Sequence, residues 1–225
     1  MTIVLCGSLG STAAMWDAQR AVLGDVVVTE LPGHGGAPVA AVPDMRALAE
    51  HVLDQVDAPR FSFVGLSLGG SVGIRVALDA PERLERLVLC CTAARFGPPE
   101  QWRERAALVR RQGLEPIVDA VLARWFTPAF EDVARFRATF LSVEPEGYAR
   151  CCDALVAWDA TDELERIAAP TLCLAGENDP TAPPEELQRI AASIPGARAV
   201  TIPGRHLATA EFPDEANAHL REFLS

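Results

Sequence analysis

Residues 65–69 read Gly-Leu-Ser-Leu-Gly, and the chain changes its periodicity across them. Before them, Phe61–Val64 is a short run of strand type, and after them Ser71–Asp79 has the spacing of a helix. A backbone that turns from strand into helix within so few residues folds back close on itself. Only small side chains fit two positions before and two positions after the apex, where the glycines stand. The apex residue is pushed into a strained conformation that aims its side chain out from the end of the sheet. It also lies at a helix N-terminus, where the aligned peptide dipoles favour negative charge. Ser67 therefore has the setting of a nucleophile whose attack creates an oxyanion. The same five residues demand a strand that feeds directly into a helix.

The rest of the chain meets that demand. Short apolar runs at Thr2–Cys6, Val26–Glu30, Phe61–Val64, Leu87–Cys91, Thr171–Ala175 and Ala199–Ile202 alternate with helical patterns. The helical patterns are Asp44–Val56, Val72–Asp79, Glu185–Ile194 and Glu215–Phe223. The runs are apolar nearly throughout, as expected of strands covered on both faces of a parallel sheet. This predicts an α/β fold with a doubly wound, mostly parallel sheet of about six strands. The alternation stops over residues 95–167, where the pattern is helical with prolines at 98, 99, 116, 128 and 145. So long and amphipathic a segment is not a loop. It is predicted to be a helical lid inserted into a core made of residues 1–94 and 168–225. The region from Ala94 to Ile167 holds 10 arginines against 13 acids, so it is not a basic patch.

All 20 basic residues are arginine. Without lysine the chain cannot form a Schiff base, supply a P-loop lysine or build a Ser-Lys dyad. A net charge of −11 argues against nucleic acid and anionic membrane as partners, because both call for clustered cations. It leaves room for a small anionic substrate, which needs only one or two local cations. No apolar run approaches the roughly 18 residues of a membrane helix. Met1–Gly7 has no basic residue and breaks at glycine, so it reads as a strand rather than a signal peptide. The six cysteines, at 6, 90, 91, 151, 152 and 173, include no C-x-x-C pair. No metal site is expected of them; they read as buried, reduced thiols of a cytoplasmic protein.

A serine hydroxyl is a weak nucleophile without a base. Of four histidines, His206 lies in Pro203-Gly204-Arg205-His206-Leu207, a turn between the last strand and the last helix. That position suits the chain order Ser, acid, His. His34, in Pro32-Gly33-His34-Gly35-Gly36, is explained by its turn, and His51 and His219 lie on helical patterns and are expected to be solvated. The acid should precede His206. Asp179, in the loop leaving the strand Thr171–Ala175, is the leading candidate to orient the imidazole. Glu177 in the same loop competes with it, and Asp214 reads as a helix-start residue.

With these residues assembled, the chain resembles the α/β-hydrolase family almost from end to end. Cys6-Gly7-Ser8-Leu9-Gly10 is similar to that family's His-Gly-x-x-Gly loop, with cysteine in the histidine's place. The resemblance implies one oxyanion-binding N–H from this loop, by position that of Ser8, with Leu9 also open, and a second from Leu68. More narrowly, the chain resembles the 3-oxoadipate enol-lactonases. The similar stretches are Ser8-Leu9-Gly10 with Met15-Trp16-Asp17, Thr92–Gly97, Arg124–Pro128, Pro145–Tyr148 leading to Cys151-Cys152, and Asp179–Pro184. Two features depart from that family. Its members usually open with a β-hairpin, so a sheet beginning at Thr2 is expected to lack about two strands at one edge. They also commonly carry Asn where this chain has Gly7.

The resemblance implies hydrolysis of a small anionic lactone to 3-oxoadipate in aromatic catabolism, with no cofactor. Arg95 and Arg124 are then candidates to bind the acetate arm, and Trp125 to wall the pocket. The elbow, acid and base alone fit a general carboxylesterase, or a C–C bond hydrolase or lyase, equally well. A non-catalytic small-molecule receptor on the same fold is the alternative of a different class.

Overall fold

The computed structural model describes residues 1–225. Six strands form one sheet: β1 (Ile3–Cys6), β2 (Val26–Thr29), β3 (Phe61–Leu66), β4 (Leu84–Cys90), β5 (Thr171–Gly176) and β6 (Arg198–Ile202). The order across the sheet is β2-β1-β3-β4-β5-β6, and every neighbouring pair is parallel. The helices are α1 (Asp17–Arg20), α2 (Met45–Leu53), α3 (Leu68–Asp79), α4 (Pro99–Gln112), α5 (Glu115–Trp125), α6 (Val133–Leu141), α7 (Pro145–Val156), α8 (Pro184–Ser193), α9 (Ala208–Glu211) and α10 (Pro213–Leu224). No helix is long and apolar enough to cross a membrane.

All six expected strands form, and the sheet is wholly rather than mostly parallel. Every residue of β1, β3 and β5 is buried. Successive side chains of a strand point to opposite faces, so both faces are covered there. That expectation fails for β2 and β6. Val26, Val27 and Val28 are only half-buried, and most of β6 is open. These two are the outer strands, each with a single neighbour in the sheet.

The strand order places the site. From β1 the chain runs outward to β2, then returns past β1 to build β3, β4, β5 and β6 on the other side. The loops leaving β1 and β3 therefore diverge at the carboxyl edge of the sheet, which opens a crevice between them. Ser8 follows β1 and Ser67 follows β3, while the loops after β5 and β6 carry Asp179 and His206.

Helices α4, α5, α6 and α7 lie between β4 and β5 and cover this edge. The segment closes on itself where Ala160 N–H donates to Ala94 O at 3.0 Å. Arg110 of α4 reaches Glu146 and Asp153 of α7 at 2.9 and 2.6 Å. Beneath that exposed network, Trp102, Ala106 and Val109 of α4 and Tyr148, Cys151, Cys152 and Leu155 of α7 are buried. The apolar seam holds the helix pair, because exposed ion pairs contribute little by themselves.

At the turn from β3 to α3, a Cβ on Gly65 would overlap Gly69 O, and one on Gly69 would overlap Cys6 O and lie 2.7 Å from Gly7 O. Alanine favours a helix interior over glycine by about 1 kcal/mol. Backbone cannot yield to a contact this close, so sterics win at position 69. Gly69→Ala should lower stability by about 2 kcal/mol or more, read as a lower urea midpoint. An unchanged or raised midpoint would mean that α3 does not lie this near to β1.

Candidate active site

Ser67 sits at φ 57°, ψ −116°, in the positive-φ region that side chains rarely adopt. Its backbone is held on both sides. Its N–H donates to Cys90 O at 2.9 Å, and Thr92 Oγ1–H donates to Ser67 O at 2.6 Å. Helix α3 begins at the next residue, earlier than the pattern predicts, so the elbow has no slack. Ser67 Oγ lies 2.8 Å from His206 Nε2, and His206 Nδ1 lies 2.8 Å from Asp179 Oδ2. The second Asp179 oxygen, Oδ1, accepts the N–H groups of Thr181 and Ala182 at 2.7 and 3.2 Å. All three side chains are buried. This hydrogen-bonded chain can pass a proton from a hydroxyl to an imidazole whose other nitrogen faces a fixed carboxylate. Glu177 is exposed, and Asp214 stands exposed in the first turn of α10.

Opposite the serine, the N–H groups of Ser8, Leu9 and Leu68 have no acceptor within the protein, and all three residues line one cavity with Ser67 and His206. Free N–H groups beside a nucleophile are what a developing oxyanion needs. Both loop residues considered for the first donor thus remain available.

The space between atoms in the cavity, open solvent at its mouth included, is about 430 Å³. Eight of its 14 lining residues come from the inserted segment, with Phe96, Trp102, Val121, Trp125 and Leu155 apolar, and Leu9 and Leu68 add apolar surface from the core. Trp125 packs edge-on against Phe140 at 5.7 Å, and Phe140 packs edge-on against Tyr148 at the same separation. Two arginines line it, Arg105 and Arg124, and no Asp or Glu does. Neither arginine has a carboxylate partner in the protein. Burial, and then the nearby Arg105 cation, push the Arg124 pKa below its ordinary value. Tyr148, the single tyrosine of the chain, also lines the cavity, and burial raises its phenol pKa well above the usual range.

Of the cations singled out in the sequence, Arg124 faces the cavity and Arg95 does not. Arg95 is exposed, 3.7 Å from Asp159, and borders a separate surface hollow with Glu186 and Arg189. It does not line the cavity that Ser67 and His206 share, so Arg95 is withdrawn as a substrate contact. Trp125 does wall the cavity. The sequence reading missed Arg105. The available signal was its position three residues after Trp102 in an amphipathic helix, next to the buried stripe of Trp102, Ala106 and Val109.

It also undervalued His34, which is fully buried rather than simply part of a turn. His34 Nε2 accepts the N–H of Gly10 at 2.9 Å, and Nδ1 lies 2.9 Å from Pro32 O. His51 and His219 are half-buried on α2 and α10, and neither lines the cavity.

A model of the alpha/beta hydrolase family matches residues 3–219. A 3-oxoadipate enol-lactonase of Acinetobacter baylyi is 33% identical over 231 aligned residues, covering 96% of this chain and 85% of that protein. The crystal structure of an enol-lactonase from Burkholderia xenovorans superposes with a TM-score of 0.94 at 35% identity, covering 99% of this chain and 90% of that one. A hydrolase from Pseudomonas aeruginosa superposes with a TM-score of 0.94 at 39% identity, covering 100% of this chain and 89% of that one.

Burial lowers the His34 pKa from 6.5 to about 4, against a smaller opposing effect of the Pro32 carbonyl. The native state holds the neutral ring, so the unfolded chain takes up the proton first. Stability is therefore complete above pH 6.5 and falls as pH drops toward 4, by about 3 kcal/mol over the interval. Glu30, raised by partial burial, acts in the opposite sense. His34→Gln removes the titration, so the fall in urea midpoint between pH 6.5 and 4 should be markedly shallower in that variant. Parallel curves would show that His34 does not carry this loss.

Proposed function

The chain belongs to the alpha/beta hydrolase family, and from that premise we propose that it is a serine hydrolase that opens 3-oxoadipate enol-lactone to 3-oxoadipate. One observation carries the reading: a Ser67–His206–Asp179 hydrogen-bonded chain faces a cavity whose ionised wall groups are two unpaired arginines. Relatives that are enol-lactonases support the choice of substrate. Ser67 is the nucleophile, His206 the base and then the acid, and Asp179 the group that orients the imidazole. Residues 95–167 are the lid, and they supply most of the walls.

The acetate arm of the lactone pairs with Arg105 and Arg124, and the ring lies against Trp125 and its apolar neighbours. Ser67 Oγ attacks the lactone carbonyl as its proton passes to His206 Nε2, already 2.8 Å away. The carbonyl oxygen becomes an oxyanion, held by the N–H of Leu68 and that of Ser8 or Leu9. Collapse breaks the ring C–O bond. His206 returns the proton to the leaving enol oxygen, and the enol becomes the ketone of the product. Water then attacks the acyl-enzyme with His206 again as base, leaving a carboxylic acid that ionises and a free Ser67. Side chains and backbone N–H groups supply every step of this scheme.

Ser67→Ala should lower kcat by at least about 10⁴-fold, whereas Ser8→Ala, which keeps its N–H, should change kcat by less than about fivefold. If those two variants behaved the other way round, the roles of the two loops would be reversed. Arg105→Gln and Arg124→Gln should each raise KM for the lactone about tenfold, the loss of one charge-assisted contact. Both should leave a neutral ester of similar size nearly unaffected, and Arg95→Ala should affect neither substrate. A wild-type enzyme that turns over the neutral ester faster than the lactone would sink the substrate reading.

A further inference from the structure

His34 has no part in that scheme, yet it is the one fully buried histidine and it touches the loop that faces the reacting carbonyl. Its protonation state follows from its partners. A backbone N–H can only donate, so the Nε2 that meets Gly10 N–H carries no proton. The ring is then neutral, with its proton on Nδ1, donated to Pro32 O.

The loop after β1 is pinned one peptide at a time. Gly7 O accepts Gly69 N–H at 3.1 Å. Ser8 O accepts Ser11 N–H at 2.9 Å and Ser11 Oγ–H at 2.8 Å. Gly10 N–H is held by His34. In a planar trans peptide the C=O and N–H point in opposite directions. Pinning Gly7 O therefore aims Ser8 N–H, and pinning Ser8 O aims Leu9 N–H. The next peptide, Leu9–Gly10, is anchored only through Gly10 N–H. Gly10 sits at φ +87°, and without a Cβ it tolerates either orientation of that peptide. The His34 contact is the one side-chain restraint on this loop that comes from a different loop. That other loop is itself braced by the lid, because Glu144 N–H donates to Gly33 O at 2.9 Å.

We propose that His34 is a positioning residue for the oxyanion site: by holding Gly10 N–H, its unprotonated Nε2 fixes the loop from which Ser8 and Leu9 present their N–H groups to the reacting carbonyl. The proposal rests on the reading of Ser67 as nucleophile. Its effect falls on the transition state, because the oxyanion exists only there, and so it changes kcat and leaves KM alone.

Two polar variants separate the two contacts of the ring. His34→Gln keeps an acceptor at about the reach of Nε2 and gives up the contact to Pro32. His34→Asn keeps a donor near Nδ1 and is too short to meet Gly10. Each is assayed for kcat and KM on an aryl ester and on the enol-lactone. Inhibition by a trifluoromethyl ketone, which adds to a serine and mimics the oxyanion, is measured beside them, and urea midpoints report folding. His34→Asn should lose about ten- to a hundredfold in kcat with KM within about twofold, and bind the ketone weaker by a similar factor. His34→Gln should stay within about fivefold of wild type in both.

Equal losses in the two variants, or a loss carried by KM, would overturn the positioning role. A His34→Asn enzyme with wild-type kcat and ketone affinity would do the same. Ser67→Ala in the same assays keeps the two claims apart. Turnover that survives Ser67→Ala defeats the nucleophile and His34's role with it. Ser67-dependent turnover that ignores His34→Asn defeats the His34 role alone.

Discussion

The contact on which this site depends is the approach of α3 to the ends of β1 and β3. Neither Gly65 nor Gly69 has room for a Cβ, and Ser67 between them is held at positive φ by hydrogen bonds to Cys90 and Thr92. That approach does several things at once. It lifts Ser67 Oγ off the sheet, and it leaves Leu68 N–H at the free end of a helix with no intrahelical acceptor. It also lets Gly69 N–H reach Gly7 O, which draws the loop after β1 against the elbow. The strain at one residue thus fixes the Ser67 hydroxyl and orients the loop opposite it, and the parallel sheet around them resists relaxation.

The helices over the carboxyl edge are fastened to both sides of the site. At the end of α5, Arg124 O and Trp125 O accept the N–H groups of His206 and Leu207 at 3.3 and 3.0 Å. Glu211 adds to this join by accepting the Thr127 N–H at 2.9 Å and the Arg205 N–H at 3.2 Å. On the other side, Phe140 and Tyr148 lie over Gly10, and Glu144 is bonded to the His34 turn. Most of the residues that line the cavity therefore sit on helices braced against the loop of His206 and the loop after β1. A shift of α5 carries Arg124, Trp125 and the backbone of His206 together. The cavity wall and the Ser67–His206–Asp179 chain share one set of hydrogen bonds, and for that reason these helices are poorly described as a separate cap.

Local spacing made the serine, histidine and aspartate legible in the sequence. Each lies in a loop after a short apolar run, and the order of those loops along the chain matches their order along the sheet edge. The inner strands were legible because burial on both faces writes itself as unbroken apolar runs, and β2 and β6 carry such runs although they lie half open. What was not legible depends on contacts distant in sequence. His34 and Gly10 are 24 positions apart, and only the pairing of β1 with β2 brings them together. Arg95 sits beside a strand end, and Arg105 sits in the middle of a helix. Proximity along the chain favours the first, while the direction in which α4 crosses the cleft decides for the second. The half-exposed flanks of β2 and β6 follow from strand order, which apolar runs do not encode.

The charge of the molecule and that of its cavity have opposite signs. A net charge of −11 repels an anion, but such fields fade beyond a screening length of about 8 Å at physiological ionic strength. Against aromatic and aliphatic walls, in a medium of lower dielectric than bulk water, attraction between a guanidinium and a carboxylate is stronger than in bulk. Arg105 and Arg124 are each other's charged neighbours, so the empty site holds a repulsion that an anion relieves. On the lactonase reading, the substrate arrives with one carboxylate and the product leaves with two. The second forms at Ser67, where His206 stands between the serine and Asp179. On that reading, the arginines that capture the lactone by its one carboxylate also hold that end of the product.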